Sequence, residues 1–200
     1  VVLKDIVERH SIRNVAFLNV LLRYISDTVG KLTSLNNICR YMKSQGQDVA
    51  VKSVSAYLSY FRDAYLLASV GRYDVHGKRL LESNEKLYFG DVGIRNLIAG
   101  GEREGDIEKV LENIVYQQLL RMGYTVNVGQ LKAGEVDFVC TRTNERVYVQ
   151  VAYLVASPQT EEREFGCLEN INDNYPKYVI SMTPFVKRSD RGGITHIGLR

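Results

Sequence analysis

Two hundred residues, 45% hydrophobic and 24% charged, suffice to bury a core as one large domain or two small ones. A net charge of +3 permits contact with nucleic acid but excludes a polycationic binder that relies on charge alone. The three cysteines, Cys39, Cys140 and Cys167, are widely spaced and form no C-x-x-C pair, which excludes a disulfide framework and a thiolate zinc site and implies a reducing, cytoplasmic setting.

No apolar run approaches the roughly 18–20 residues of a membrane span, and no signal peptide opens the chain. The chain starts at Val1, and VVLKDIVERH reads as the interior of a longer protein, so a preceding domain is expected.

The first helix is expected over residues 12–26, with Val15, Leu18, Leu21, Leu22 and Ile25 on one face. Thr33 or Ser34 caps a second helix with Leu35, Ile38, Tyr41 and Met42 inward, ended by Gly46. A third runs from Lys52 to Ala64, its buried stripe Val54, Tyr57, Leu58, Phe61 and Tyr65. The period then changes to strands at 66–74 and 79–89 around a His76-Gly77-Lys78 turn. Three helices followed by a hairpin is the order of a winged helix, so residues 1–100 are read as a winged-helix-like module. Asp91 and Arg95, four apart, are placed to pair on a helical turn.

The glycine-rich stretch 100–105 reads as a linker to a second domain at 106–200. There a helix is expected over 106–122, with Val110, Leu111, Ile114, Val115, Gln118 and Leu119 inward and Gly123 as its cap. Strands at 124–128, 135–141 and 146–153 follow, then a helix at 161–171 and strands at 177–183 and 194–199. Centring the middle hairpin on Thr143-Asn144 sets Asp137 opposite Gln150 and Glu135 opposite Ala152. It also sorts the faces. Val136, Phe138, Cys140, Val147, Val149, Val151 and Tyr153 form a dry side. Glu135, Asp137, Thr141, Arg146, Tyr148, Gln150 and Ala152 form a wet one, with Val139 as its apolar exception.

Glu112 on the preceding helix, Glu135 and Asp137 on one strand, and Gln150 on its neighbour form an ordered set. Carboxylates converging from a helix and a strand could hold Mg²⁺, with Glu112, Asp137 and the Gln150 carbonyl as ligands. The set resembles the PD-(D/E)-x-K restriction-endonuclease-like superfamily. That resemblance implies a mixed-sheet α/β (α+β) fold and assigns catalytic positions to Glu112, Glu135, Asp137 and Gln150. Two departures make the site degenerate: Gln150 replaces the second acid, and Ala152 stands where the pattern puts its lysine. Lys132 in the preceding loop is a substitute source of the amine.

A second resemblance covers most of the chain. Ala64-Tyr65-Leu66-Leu67, Arg72-Tyr73-Asp74, Lys86 to Asn96, Leu111-Glu112-Asn113, Gly134 to Phe138, Val149 to Ala152 and Asp173 to Lys177 are similar to the C-terminal region of bacterial and archaeal AAA-type P-loop ATPases. That implies ATP binding in the full-length protein and an N-terminal ATPase domain as a partner. No G-x-x-x-x-G-K-S/T segment occurs here, so no cofactor is expected in this stretch.

For nucleic acid, Lys52 and Arg62 on the third helix and Lys78 and Arg79 at the hairpin tip are the candidate contacts. Three roles stay open: binding DNA or a partner with a degenerate nuclease core, active metal-dependent cleavage, and docking on the chain's own ATPase domain. His10, His76 and His196 are isolated in sequence, so no ligand or triad role is expected of them.

Overall fold

The computed structural model describes residues 2–12, 14–132, 134–186 and 188–199. They form a mixed α/β fold in two compact units, Val1–Val70 with Ser83–Arg103, and Gly71–Glu82 with Glu104–Arg200. The middle of the first hairpin thus belongs to the second unit.

The first unit contains α1 (Val2–Arg9), α2 (Val15–Thr28), β1 (Leu32–Thr33), α3 (Leu35–Ser44), α4 (Val51–Asp63) and α5 (Val92–Ala99). It also holds the outer ends of β2 (Leu67–Asp74) and β3 (Arg79–Phe89). Local chemistry sets the helix starts. Asn14 accepts from the Phe17 amide at 2.9 Å, Ser34 from Asn37 at 3.2 Å, and Asp91 from Ile94 at 2.8 Å. β1 lies antiparallel to β3, with Leu32 opposite Lys86 and Thr33 opposite Glu85. Leu18, Leu21, Leu22, Ile25, Ile38, Met42, Val54, Leu58 and Phe61 are buried, as their spacing requires.

Tyr65 departs from its expected place in the α4 stripe. The helix has ended, Tyr65 takes a φ of 54°, and its side chain is 89% exposed. Arg95 is only 1% exposed, and its Nε and Nη2 donate to the Ser26 carbonyl at 3.0 and 2.7 Å. That carbonyl lies in α2, so the guanidinium fastens α5 to α2.

The second unit contains α6 (Ile107–Arg121), β4 (Thr125–Gln130), β5 (Glu135–Arg142), β6 (Glu145–Ala152), α7 (Pro158–Glu169), β7 (Lys177–Ser181), β8 (Arg188–Arg191) and β9 (Ile194–Gly198). With the inner part of β2 its strands run in the order β2-β4-β5-β6-β7-β9-β8. The β2–β4, β6–β7 and β7–β9 pairs are parallel, and β4–β5, β5–β6 and β8–β9 are antiparallel. A bulge interrupts the β4–β5 ladder before Gly129, where a Cβ would overlap the Val136 side chain. Glycine is therefore required there. On α6, Ile114 is 45% exposed although its spacing suggested the inner face, and Asn113 and Tyr116 are buried.

Among the described residues no helix is long and apolar enough to cross a membrane. Replacing Arg95 by Met removes two donors from a buried carbonyl and is expected to cost about 2 kcal/mol of stability, read from urea midpoints with an unchanged slope.

Candidate functional site at the β5–β6 hairpin

The hairpin adopts the register read from its turn. Arg142 faces Glu145, Cys140 faces Val147 and Phe138 faces Val149. Regular pairing stops there, one step before Asp137 and Gln150. Side chains take over the hydrogen bonding. The Asp137 amide donates to Gln150 Oε1 at 3.1 Å, and the Val151 amide donates to Asp137 Oδ2 at 2.9 Å.

The sheet's two faces correct the expectation of a wet side. Phe138 meets Tyr116 of α6, with ring centroids 6.1 Å apart. Alternation sets Asp137, Val139, Tyr148 and Gln150 on the other face, where Val139 and Tyr148 pack with Phe165 and Leu168 of α7. Asp137 is 8% exposed and Tyr148 is fully buried. This face is closed by a second helix, and Asp137 and Gln150 find hydrogen-bond partners within it.

The α7 side chain at the centre of the cluster is Glu164. Its Oε2 accepts from Gln150 Nε2 at 3.0 Å, and its Oε1 accepts from Arg163 Nε at 2.7 Å. The Glu164 contact raises the Arg163 pKa, and the nearby Glu108 charge adds to it. Burial, followed by the charges of Asp137 and Glu164, pushes the Cys167 thiol up to about 12, so it is not a nucleophile near neutral pH. Glu164 was not singled out from sequence. Its spacing with Phe165 and Leu168 places it on the inward stripe of α7, and an acid in such a stripe is the signal that could have found it.

The candidate ligands are distributed as follows. Asp137 and Gln150 are together. Glu112 is half-buried on α6, the helix covering the opposite face of β5, and Glu135 begins β5 opposite Gln130. Ala152 is buried where the superfamily pattern has lysine. Among the described residues no three His, Cys, Asp or Glu side chains gather as a metal-binding group. Gln150 Oε1 and Asp137 Oδ2 already accept backbone protons, so these two atoms offer a cation little.

The candidate nucleic-acid contacts fall in both units. Lys52 is exposed at the start of α4. Arg62 donates to Ser69 at 2.9 Å and lies 3.9 Å from Glu85, so its charge is engaged. Lys78 and Arg79 sit at the hairpin tip, whose turn is fixed by Asp74 accepting from the His76 and Gly77 amides.

The histidines are less isolated than in sequence. His10 stacks on Tyr60 at 3.8 Å. His196 Nε2 shares a 2.8 Å hydrogen bond with Ser181 Oγ. Both residues are buried, so this Ser–His pair is closed to a substrate and holds β7 to β9.

Three variants test these contacts. Replacing Gln150 by Leu strands the Asp137 amide and one Glu164 oxygen, with an expected cost of about 3 kcal/mol by chemical denaturation. Replacing it by Glu sets two carboxylates together, a penalty that recedes as pH falls and the pair gains a proton. Burial lowers the His196 pKa, so the unfolded chain takes up this proton first. Its contribution to stability is complete above about 6.5, the ordinary histidine value, and fades as pH falls below it. Urea titrations of the wild type and His196→Gln should converge across that window.

A family model for a domain of unknown function, DUF8612, matches residues 1–104. The chain is 33% identical over 181 residues to an uncharacterized protein of Haemophilus influenzae, covering 90% of this chain and 44% of that protein. It is 30% identical over 171 residues to uncharacterized protein MJ1544 of Methanocaldococcus jannaschii, covering 83% of this chain and 37% of that protein. It thus spans less than half the length of either relative. No solved structure matches. By the match over residues 1–104, the chain belongs to the DUF8612 family.

Proposed function

We propose that this chain is the C-terminal accessory region of a prokaryotic AAA-type ATPase, that it binds DNA, and that its second unit is a restriction-endonuclease-like core without cleavage chemistry. The observation that carries the reading is the element order of the first unit. α2-β1-α3-α4-β2-β3, with β1 antiparallel to β3, is the order of a winged helix. α3 and α4 correspond to its helix-turn-helix pair, joined past Gly46 at a φ of 73°. Lys52 lies at the N-terminal end of α4, where a recognition helix approaches bases and phosphates.

The second unit supports loss of chemistry. The amide of Gln150 links Asp137 to Glu164, and Ala152 has no amine to activate water. Both relatives extend well beyond the matched stretch, which leaves room in them for an ATPase domain. Leu97, 80% exposed on α5, favours a second reading in which the first unit docks on protein.

Fluorescence anisotropy with a labelled duplex, repeated across salt concentrations, separates these readings. The wild type is expected to bind with a salt-dependent affinity, and the triple variant Lys52→Ala, Lys78→Ala, Arg79→Ala to show a shallower slope by up to about three. Salt-independent binding, or none, would exclude the DNA role. Cleavage with Mg²⁺ or Mn²⁺ that disappears in Asp137→Ala would restore the nuclease reading.

A further inference from the structure

In the second unit, Arg146 of β6 lies between two tyrosines. Its guanidinium carbon is 5.0 Å from the Tyr73 ring centre and 5.3 Å from the Tyr175 ring centre. No carboxylate of the described residues is within ion-pair distance of it. Its Nε is buried without a hydrogen-bond partner. Burial opposes the charge, yet the hydroxyls of Tyr148 and Tyr73 outweigh that and hold the pKa above its ordinary value. A half-buried cation with an orphaned donor calls for an anion beside it.

The surroundings keep that charge uncompensated. The nearby acid, Asp173, accepts from the Tyr148 hydroxyl at 2.6 Å and lies 3.7 Å from the Lys177 ammonium. Lys177 therefore answers Asp173, and Arg146 remains in excess. The same contacts stiffen the loop carrying Tyr175. The Tyr175 amide donates to Asp173 Oδ1 at 3.2 Å, Lys177 Nζ donates to the Asp173 carbonyl at 2.8 Å, and the Tyr148 amide donates to the Pro176 carbonyl at 2.9 Å. Tyr175 is still 43% exposed. An exposed ring on a braced loop, stacked against a guanidinium that has no carboxylate partner among the described residues, is already ordered for a ligand with a flat face and a negative charge.

We propose that Tyr73, Arg146 and Tyr175 form a contact for single-stranded nucleic acid, with a base stacked on Tyr175 and the adjoining phosphate drawn to Arg146. This rests on the nucleic-acid reading of the chain but assigns residues other than those of α4 and the His76-Gly77-Lys78 turn. A strand is favoured because the ligand contact is an exposed ring and a cation, which grip one nucleotide of a run.

The test is anisotropy with labelled oligothymidylate beside the labelled duplex. The wild type is expected to bind the single strand. Tyr175→Ala should weaken that binding about tenfold, the loss of one stacked base, and Tyr175→Phe should retain it. Arg146→Gln should lower the salt slope by about one. The duplex affinity should stay unchanged in Tyr175→Ala, whose ring is outside the core. Equal single-strand affinity in the wild type and Tyr175→Ala would overturn the assignment, as would equal binding of an abasic strand or of thymidine monophosphate. Displacement by polyglutamate at equal charge would show a site for acidic chains and overturn it too. Duplex binding without single-strand binding would remove this contact and leave the winged-helix reading standing. Loss of duplex binding with Tyr175-dependent single-strand binding retained would do the reverse.

Discussion

The second unit depends on the point where β5 and β6 stop pairing through their backbones. Beyond Phe138 and Val149, the Asp137 side chain takes the Val151 amide, and the Gln150 side chain takes the Asp137 amide. Both amides would otherwise be orphaned inside a closed sheet, each at a cost of about 1–3 kcal/mol. Position 150 must accept from one side and donate to the other. An amide does both. A carboxylate cannot donate to Glu164 unless protonated, and a lysine cannot accept at all. The residue that departs from the nuclease pattern is therefore the one this junction needs.

That junction explains why α7 can bury an acid. Glu164 is held between the Gln150 amide and the Arg163 guanidinium. Without both, a carboxylate 4% exposed would be left without compensating partners in the interior. The other side of α7 is fixed by Arg191 of β8, which reaches Glu161, Glu162 and Glu169 at 3.1, 2.9 and 3.3 Å and lies over Phe165. The helix is held by packing along one stripe and by charge along two others. Its closure over Asp137 follows from those contacts.

The hairpin register was legible because its turn and its alternation point to the same pairing, and a slip by one residue would have mixed the faces. The helices α2, α3, α4 and α6 were legible from apolar spacing, and α3 also from its Ser34 cap. The solvent exposure of the second hairpin face was not. Alternation tells which residues share a face but not whether that face is wet, and here Tyr148 and Val139 give α7 enough apolar surface to cover the polar positions between them. Glu164 escaped for the related reason that an acid inside a helical stripe reads as solvated until its partners from other strands are known. β8 is four polar residues without alternation, so only its pairing with β9 defines it. Arg146 looked like one more polar residue of a strand, because Tyr73 and Tyr175 are distant in sequence.

The distribution of unpaired cations sets how such a chain would meet nucleic acid. Arg62 is tied to Ser69 and Glu85, Arg163 to Glu164, and Arg191 to three glutamates. Of the candidate contacts, Lys52 and Lys78 are exposed, Arg79 lies 4.0 Å from Asp74, and Arg146 lies over two tyrosine rings. Each phosphate contact contributes about one counterion released, so binding through these four side chains alone would give modest affinity at physiological salt. Modest affinity suits an accessory region. On the proposed reading, the rest of a longer protein would hold it near its target at high effective concentration, where a few contacts suffice to position a strand and release it again.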